Sequence, residues 1–133
     1  YDQAKQIYQS AIAVLPKSLK SAAQAQLAAS LRLNVAACSL KLEDFQEAAD
    51  ECSLALELVI GAPEGFQRPL RAKALYRRAV ALEHLGDLAS AFKDVREAHT
   101  LQPKDGAIGS LVRKIREQLA KKVGEEGAAA APP

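Results

Sequence analysis

The stretch FQEAADECSLALELV, residues 45–59, decides the fold, because its apolar residues fall three and four positions apart. Apolar residues at this spacing share one face of an α-helix. The same ladder of small and large apolar residues occurs three times: Tyr1, Ala4, Tyr8, Ala11 and Pro16; Phe45, Ala48, Cys52 and Ala55; Leu88, Ala91, Val95, Ala98 and Pro103. A repeated ladder predicts helix pairs that stack into a solenoid. The fold class is therefore predicted to be all-α.

Breaker residues divide the chain into six predicted helices. Pro16 ends the first, Glu43 and Asp44 form a turn, and Gly86 caps the fourth. Pro69 suits the first turn of a helix, so residues 60–69 are predicted to form a loop. The predicted units are a first helix at 1–15, a second repeat at 19–59 that opens with a long helix at 19–42, a third repeat at 69–102, a capping helix at 105–123, and a flexible tail at 124–133. Residues 1–123 then form one domain.

The amino-acid composition limits the classes of function and partner that we expect for the chain. The 133 residues carry a formal net charge of +2, which gives no reason to expect a nucleic acid or an anionic membrane as partner. No stretch approaches the roughly 20 apolar residues that span a bilayer, and no leader opens the chain, so a cytoplasmic location is expected. Cys38 and Cys52 lie in helical patterns and are predicted to be buried as small hydrophobes, with a disulfide or redox pair as the alternative.

Catalytic and cofactor motifs are missing from the sequence. His84 and His99 fall in different predicted helices without carboxylates or cysteines at metal-binding spacing, so no metal site is expected. No glycine-rich phosphate loop follows a strand, and no nucleophile stands beside a base. We therefore expect a domain without catalytic residues or cofactors.

Two further segments resemble a known family. The ladder is similar to the tetratricopeptide repeat, and the segments LNVAACSLKL (33–42) and KALYRRA (73–79) resemble the groove-lining helices of co-chaperones with a carboxylate clamp. The resemblance implies that Asn34, Lys73 and Arg77 are clamp residues. It also implies a ligand, the C-terminal tail of the 90-kDa or 70-kDa heat-shock chaperones, which ends in Glu-Glu-Val-Asp with a free carboxylate.

The spacing of these residues supports a shared site. Lys73 and Arg77 are four apart and share one helix face, and Asn34 stands ten residues before Asp44 as Arg77 does before Asp87. Arginine offers a planar fork to a carboxylate, lysine a point charge, and asparagine a hydrogen bond. Helical spacing adds five possible groove-lining residues: Ser30, Ala37, Lys41, Val80 and His84. Arg71 and Arg78 are expected at the rim or in solvent.

The resemblance also has a gap. The family's first repeat supplies a lysine and an asparagine from its first helix, and that helix would precede Tyr1. Its absence would uncover apolar residues of the helix at 1–15, so we expect a homodimer or a swapped arrangement through that helix.

Two alternatives to a chaperone-tail receptor remain. In the first alternative, the domain is a general repeat scaffold that binds an internal peptide or a protein surface, and the cations have no role in binding. In the second alternative, it is the targeting module of a peptidyl-prolyl isomerase or a phosphatase whose catalytic domain lies outside these residues. Within the family, the chain resembles both the large immunophilins, which are isomerases, and the myosin-folding chaperones.

Overall fold

The computed structural model describes residues 1–130, and these residues form six α-helices and no strand. The helices are α1 (Asp2–Ala13), α2 (Ala22–Lys41), α3 (Phe45–Val59), α4 (Glu64–Leu85), α5 (Leu88–Leu101) and α6 (Gly106–Ala130). The all-α prediction is confirmed. No helix in this part of the chain is both long enough and apolar enough to cross a membrane.

The six helices stack in chain order, each against the next. In addition, α2 contacts α4 and α4 contacts α6, whereas among residues 1–130 the backbones of α1, α3 and α5 do not approach one another. Helices that converge lie on the inner side of a curved stack. The even-numbered helices therefore line the concave face of a solenoid.

The repeated ladder forms the core. In α3 the residues Ala48, Cys52 and Ala55 have no exposed surface, and in α5 the same holds for Ala91, Val95 and Ala98. In α1, by contrast, no residue is fully buried, because α1 packs its backbone only against α2 and reaches α3 only through Lys5 and Gln9, which donate to the Glu47 carboxylate. The repeated ladder therefore marks the buried face of a helix only where that helix packs against two other helices.

The two cysteines are buried and free, as predicted for small hydrophobes. Burial raises the pKa of the Cys52 thiol to about 12, which opposes formation of the reactive thiolate. The disulfide alternative is therefore not the state of this structure.

Turn residues fix the connections as the sequence suggested. Glu43 has a φ of 61°, and the Asp44 side chain accepts a hydrogen bond from the Glu47 N–H to cap α3. Gly86 has a φ of 87° and ends α4, with the Asp87 N–H donating to the Leu82 carbonyl at 2.9 Å. Glycine tolerates this left-handed conformation at no steric cost.

The start of α4 differs from the prediction. The helix begins at Glu64, and Pro69 lies inside it, so residues 64–69 are helical and not part of a loop. Pro69 is the sixth residue of α4, so it lies past the first turn and removes one regular backbone bond, the one to the Gly65 carbonyl. The Gln67 side chain holds the entry by donating to the carbonyls of Ile60 and Ala62.

Other helix ends differ by a few residues or more. The first helix ends at Ala13, before Pro16, and α2 begins at Ala22 because the Ser21 side chain caps it through the Gln24 N–H. At the other end, α6 runs to Ala130, through most of the predicted flexible tail. Alanine favours a helix strongly enough to continue it past two glycines. Residues 131–133 of that predicted tail lie outside the described residues.

An ion pair between α4 and α5 fastens the middle of the stack. The Arg78 guanidinium donates to both carboxylate oxygens of Asp94, at 2.6 and 2.8 Å, and also to the Ser53 hydroxyl of α3. The bond to Asp94 raises the pKa of Arg78. Arg78 therefore joins three helices, and its expected place at the rim or in solvent is wrong. Arg71 does lie near the surface, paired with Glu97.

Replacing Arg78 with alanine should destabilise the fold, because the Asp94 side chain is only 7 % exposed and would lose its partner. We expect Arg78→Ala to lower the free energy of unfolding by about 2 kcal/mol in a urea titration followed by circular dichroism. Arg71→Ala is the matched control, since it breaks an exposed pair and should cost less than about 1 kcal/mol. Equal losses in the two variants would contradict this role for Arg78.

Self-association through α1 remains a prediction. Ile7 and Val14 are 66 % and 83 % exposed, so α1 offers apolar surface that invites a partner. We expect the mass measured by light scattering to rise towards a dimer with concentration, and Ile7→Glu to abolish the rise. Ile60→Glu, at a residue 75 % exposed away from α1, should leave it in place. A monomer at every concentration would refute the prediction.

Candidate functional site

The three predicted clamp residues lie on α2 and α4, the helices that line the concave face. Asn34 is half-buried on α2, Lys73 is exposed on α4, and Arg77 is half-buried one turn after Lys73. The two helices that carry these side chains, α2 and α4, are in contact with each other.

Arg77 connects the two helices directly. Its Nη1 donates a hydrogen bond of 2.7 Å to the carbonyl of Leu33, the residue before Asn34. Burial lowers the pKa of Arg77, because desolvation disfavours the charged guanidinium. No carboxylate within residues 1–130 pairs with this cation. Arg77 therefore holds an uncompensated charge beside Asn34.

A hollow of about 250 Å³ lies between α4 and the end of the stack. Lys73, Tyr76 and Arg77 line it from α4, and Ala107 and Ile108 line it from α6. Gln102 and Asp105 also line it, so two cations stand beside one carboxylate, an aromatic ring and an aliphatic side chain. Such a hollow suits an anionic group attached to an apolar one.

A second hollow of about 260 Å³ lies at the other end of the concave face. Asn34, Ala37 and Lys41 line it from α2, with Cys38 beside them, and Tyr1, Ala4 and Tyr8 line it from α1. The three predicted clamp residues are thus divided between two hollows, with Asn34 in one and Lys73 and Arg77 in the other. The Arg77 bond to Leu33 links the helix of one hollow to that of the other.

The five additional groove residues lie in different surroundings. Ala37 and Lys41 line the hollow that contains Asn34, and Ser30 is half-buried one turn before it. Val80 packs against the apolar cluster around Leu75, and the His84 ring stacks on Phe45 with centroids 4.1 Å apart. Contacts within the fold therefore occupy part of the Val80 and His84 surfaces.

Sequence reasoning missed the apolar parts of these hollows. Tyr76 and Ile108 line the hollow that contains Arg77, and Tyr8 lines the one that contains Asn34. Tyr8 belongs to the repeated ladder, which marked it as a core residue. Only Tyr76, three residues after Lys73 in the segment KALYRRA, had a sequence position that suggested the groove.

No three His, Cys, Asp or Glu side chains in the described part of the chain are grouped as a metal site would need. The two hollows are lined by cations, by the Asn34 and Gln102 amides, by one carboxylate, that of Asp105, and by apolar surface. The chemistry of these hollows is that of binding an anionic or mixed ligand.

The chain is similar in sequence to a segment of two longer proteins. It is 38 % identical over 118 residues to protein unc-45 homolog B of Mus musculus, and this match covers 86 % of the chain. It is 36 % identical over 118 residues to protein unc-45 homolog B of Homo sapiens, and that match covers 89 % of the chain. In both cases the chain spans 12 % of the relative's length. No family model matches the sequence.

Solved structures give the same likeness. A structure of the UNC-45 chaperone, reported for features critical for binding and folding muscle myosin, superimposes with a TM-score of 0.72 at 29 % identity, covering 93 % of this chain and 12 % of that one. The myosin chaperone UNC-45 from C. elegans, in an alternative conformation, gives a TM-score of 0.75 at 30 % identity, covering 95 % and 13 %.

These relatives are named as chaperones and not as isomerases. They support the resemblance to myosin-folding chaperones and lend none to the large immunophilins or to a parental isomerase. By sequence and by fold, the chain is a helical-repeat interaction domain similar to a segment of the UNC-45 chaperones.

Proposed function

We propose that the concave face of this domain binds the acidic C-terminal tail of the 90-kDa or 70-kDa heat-shock chaperones and requires its free carboxylate. Asn34, Lys73 and Arg77 are the binding residues in this proposal. A cytoplasmic location, expected from the sequence, belongs to the same proposal.

The observation that carries it is the contrast between paired and unpaired cations. Five cations that bridge helices elsewhere have carboxylate partners: Lys5 with Glu47, Arg32 with Glu51, Arg71 with Glu97, Arg78 with Asp94, and Lys114 with Glu83. Arg68 bridges α4 and α5 through the Leu101 carbonyl, but it is exposed to water, whereas Arg77 is half-buried. Lys73 and Arg77 have none among residues 1–130. The concave face between α2 and α4 therefore offers positive charge to an external anion.

The half-buried position of Arg77 favours such a ligand. Desolvation already disfavours the guanidinium charge, so an incoming carboxylate would compensate a charge that water solvates poorly. Arginine bonds a carboxylate through two parallel N–H groups, and each charge-assisted bond contributes about 1.5–3 kcal/mol. Two or three of these bonds, with apolar contact at Tyr76, suit a micromolar complex of about 8 kcal/mol.

A second candidate is a scaffold that binds an internal segment of a client protein. The separation of Asn34 from Lys73 and Arg77 into two hollows favours it, because one short carboxylate group need not reach both. The UNC-45 relative reported for binding and folding muscle myosin suggests a client of that kind. In this reading the cations contact acidic side chains along the segment, and a free terminus is not needed.

Calorimetric titration separates the two candidates. An acidic peptide ending in Glu-Glu-Val-Asp is titrated into the domain beside its C-terminally amidated twin, which lacks the terminal charge. We expect the free acid to bind with micromolar affinity and the amide at least tenfold more weakly, a difference of about 1.4 kcal/mol. Equal binding of both peptides would favour the scaffold and refute the carboxylate receptor.

Substitutions on α4 assign the residues. We expect Arg77→Ala to weaken binding of the free acid by at least tenfold and Lys73→Ala by a smaller factor, because Lys73 is exposed. Arg71→Ala, which removes a cation paired with Glu97 on the same helix, is the control and should bind normally. Arg77→Lys keeps the charge without the fork, so an intermediate loss would identify the bidentate bond. Unchanged affinity in Arg77→Ala would remove Arg77 from the site.

A further inference from the structure

The last helix continues the concave face in register with α4. Ile108, Val112 and Ile115 of α6 follow Leu75, Ala79 and Leu82 of α4 by 33 residues each. All six belong to or pack against one apolar cluster. Because equivalent core positions share this offset, equivalent surface positions share it too.

The offset carries the clamp positions of α4 onto α6. Lys73 corresponds to Gly106, which has no side chain. Arg77 corresponds to Ser110, and Val80, a possible groove-lining residue and not a clamp residue, corresponds to Arg113. The two α6 residues are exposed, and the Arg113 Nη2 donates to the Ser110 hydroxyl at 3.2 Å. Ser110 thus restrains the Arg113 guanidinium on the extension of the face that holds Arg77.

The charges around Arg113 leave it available. No carboxylate among residues 1–130 pairs with it, although Lys114, the next residue, is paired with Glu83 of α4. Two carboxylates border this part of the face. Asp105 caps α6 by accepting the Ile108 N–H, and Glu117 is exposed one turn beyond Arg113 without an ion pair to it.

We propose that α6 is part of the binding face and that Arg113 is a specificity-determining residue, which contacts an acidic side chain of the ligand upstream of its terminal carboxylate. The inference rests on the proposed function for the identity of the ligand. Lys73 and Arg77 take the end of the peptide, and the hollow between them and Ala107 leads the chain onto α6. An acidic residue upstream then meets Arg113, whereas a neutral one gains nothing there.

The test is a double-mutant cycle between the protein and the peptide. One peptide ends in Glu-Glu-Val-Asp and carries further glutamates upstream, and its twin has glutamine at those upstream positions. We expect Arg113→Ala to weaken binding of the first peptide by about two- to fivefold, the effect of an exposed ion pair, and to leave the second unchanged. Raising the salt concentration should shrink the difference.

Arg116→Ala is the matched control. Arg116 is an exposed arginine of α6, and by the same offset it corresponds to Glu83 of α4. Glu83 points from α4 towards the following helix, α6, where it pairs with Lys114. By analogy, Arg116 points from α6 away from α4. It should bind both peptides normally. Circular dichroism of each variant verifies that α6 is retained.

The amidated peptide separates this inference from the proposed function. If the free acid is required but Arg113→Ala weakens both peptides equally or neither, the role of Arg113 is overturned and the carboxylate receptor stands. If the amide binds as well as the acid but Arg113 still couples to the upstream glutamates, the carboxylate receptor fails and the contribution of α6 stands. No binding by any peptide overturns both.

Discussion

Close approach of helices at small side chains is the constraint on which the structure depends. Ala29, Ala36, Ala55 and Ala74 lie in one buried cluster with Cys52, and these small side chains pack beside three larger ones, Leu33, Val59 and Leu70. The backbones can therefore come close enough for α2, α3 and α4 to share one core. A packed interior tolerates added volume poorly, since even one extra methylene group forces neighbours to move. Even the connection after α3 obeys this limit, because a Cβ at Gly61 would meet the Ala25 Cβ at 3.3 Å.

Close packing of uncharged side chains leaves the charged ones to the edges, where they take two roles. On the side of α3 and α5, arginines meet carboxylates and fasten helices, as Arg78 and Asp94 do. On the concave side, Arg77 also fastens two helices, but it does so through a backbone carbonyl of α2. A carbonyl accepts a hydrogen bond without neutralising the charge. The same side chain can thus hold the groove in shape and remain positive towards a ligand.

The ends of the solenoid are built differently from its middle. At the first end, α1 packs on α2, reaches α3 only through polar side chains, and keeps apolar side chains exposed. At the last end, α6 buries Ile108, Leu111, Val112 and Ile115 against α5 and α4, and a Lys114–Glu83 pair adds a polar link to α4. Because α6 occupies the place that a first helix of another repeat would take, it both closes the core and lengthens the concave face.

Sequence alone determined the local structure and the repeat. The ladder in residues 45–59 and 88–101, the turn at Glu43 and Asp44 and the cap at Gly86 depend on neighbours within about one helical turn, so spacing predicted them. The clamp residues were placed on one face for the same reason. Only the tertiary structure decided which cations are neutralised, because these bonds join residues as far apart as Arg77 and Leu33, or Arg78 and Asp94. It also decided that α4 begins before Pro69, where the Gln67 side chain and the packing of the longer helix outweigh one missing backbone bond. The way the helices pack decides which charges pair and divides the groove into two hollows. A periodic pattern in the sequence cannot predict this, because it specifies which face of a helix packs but not what each polar side chain meets there.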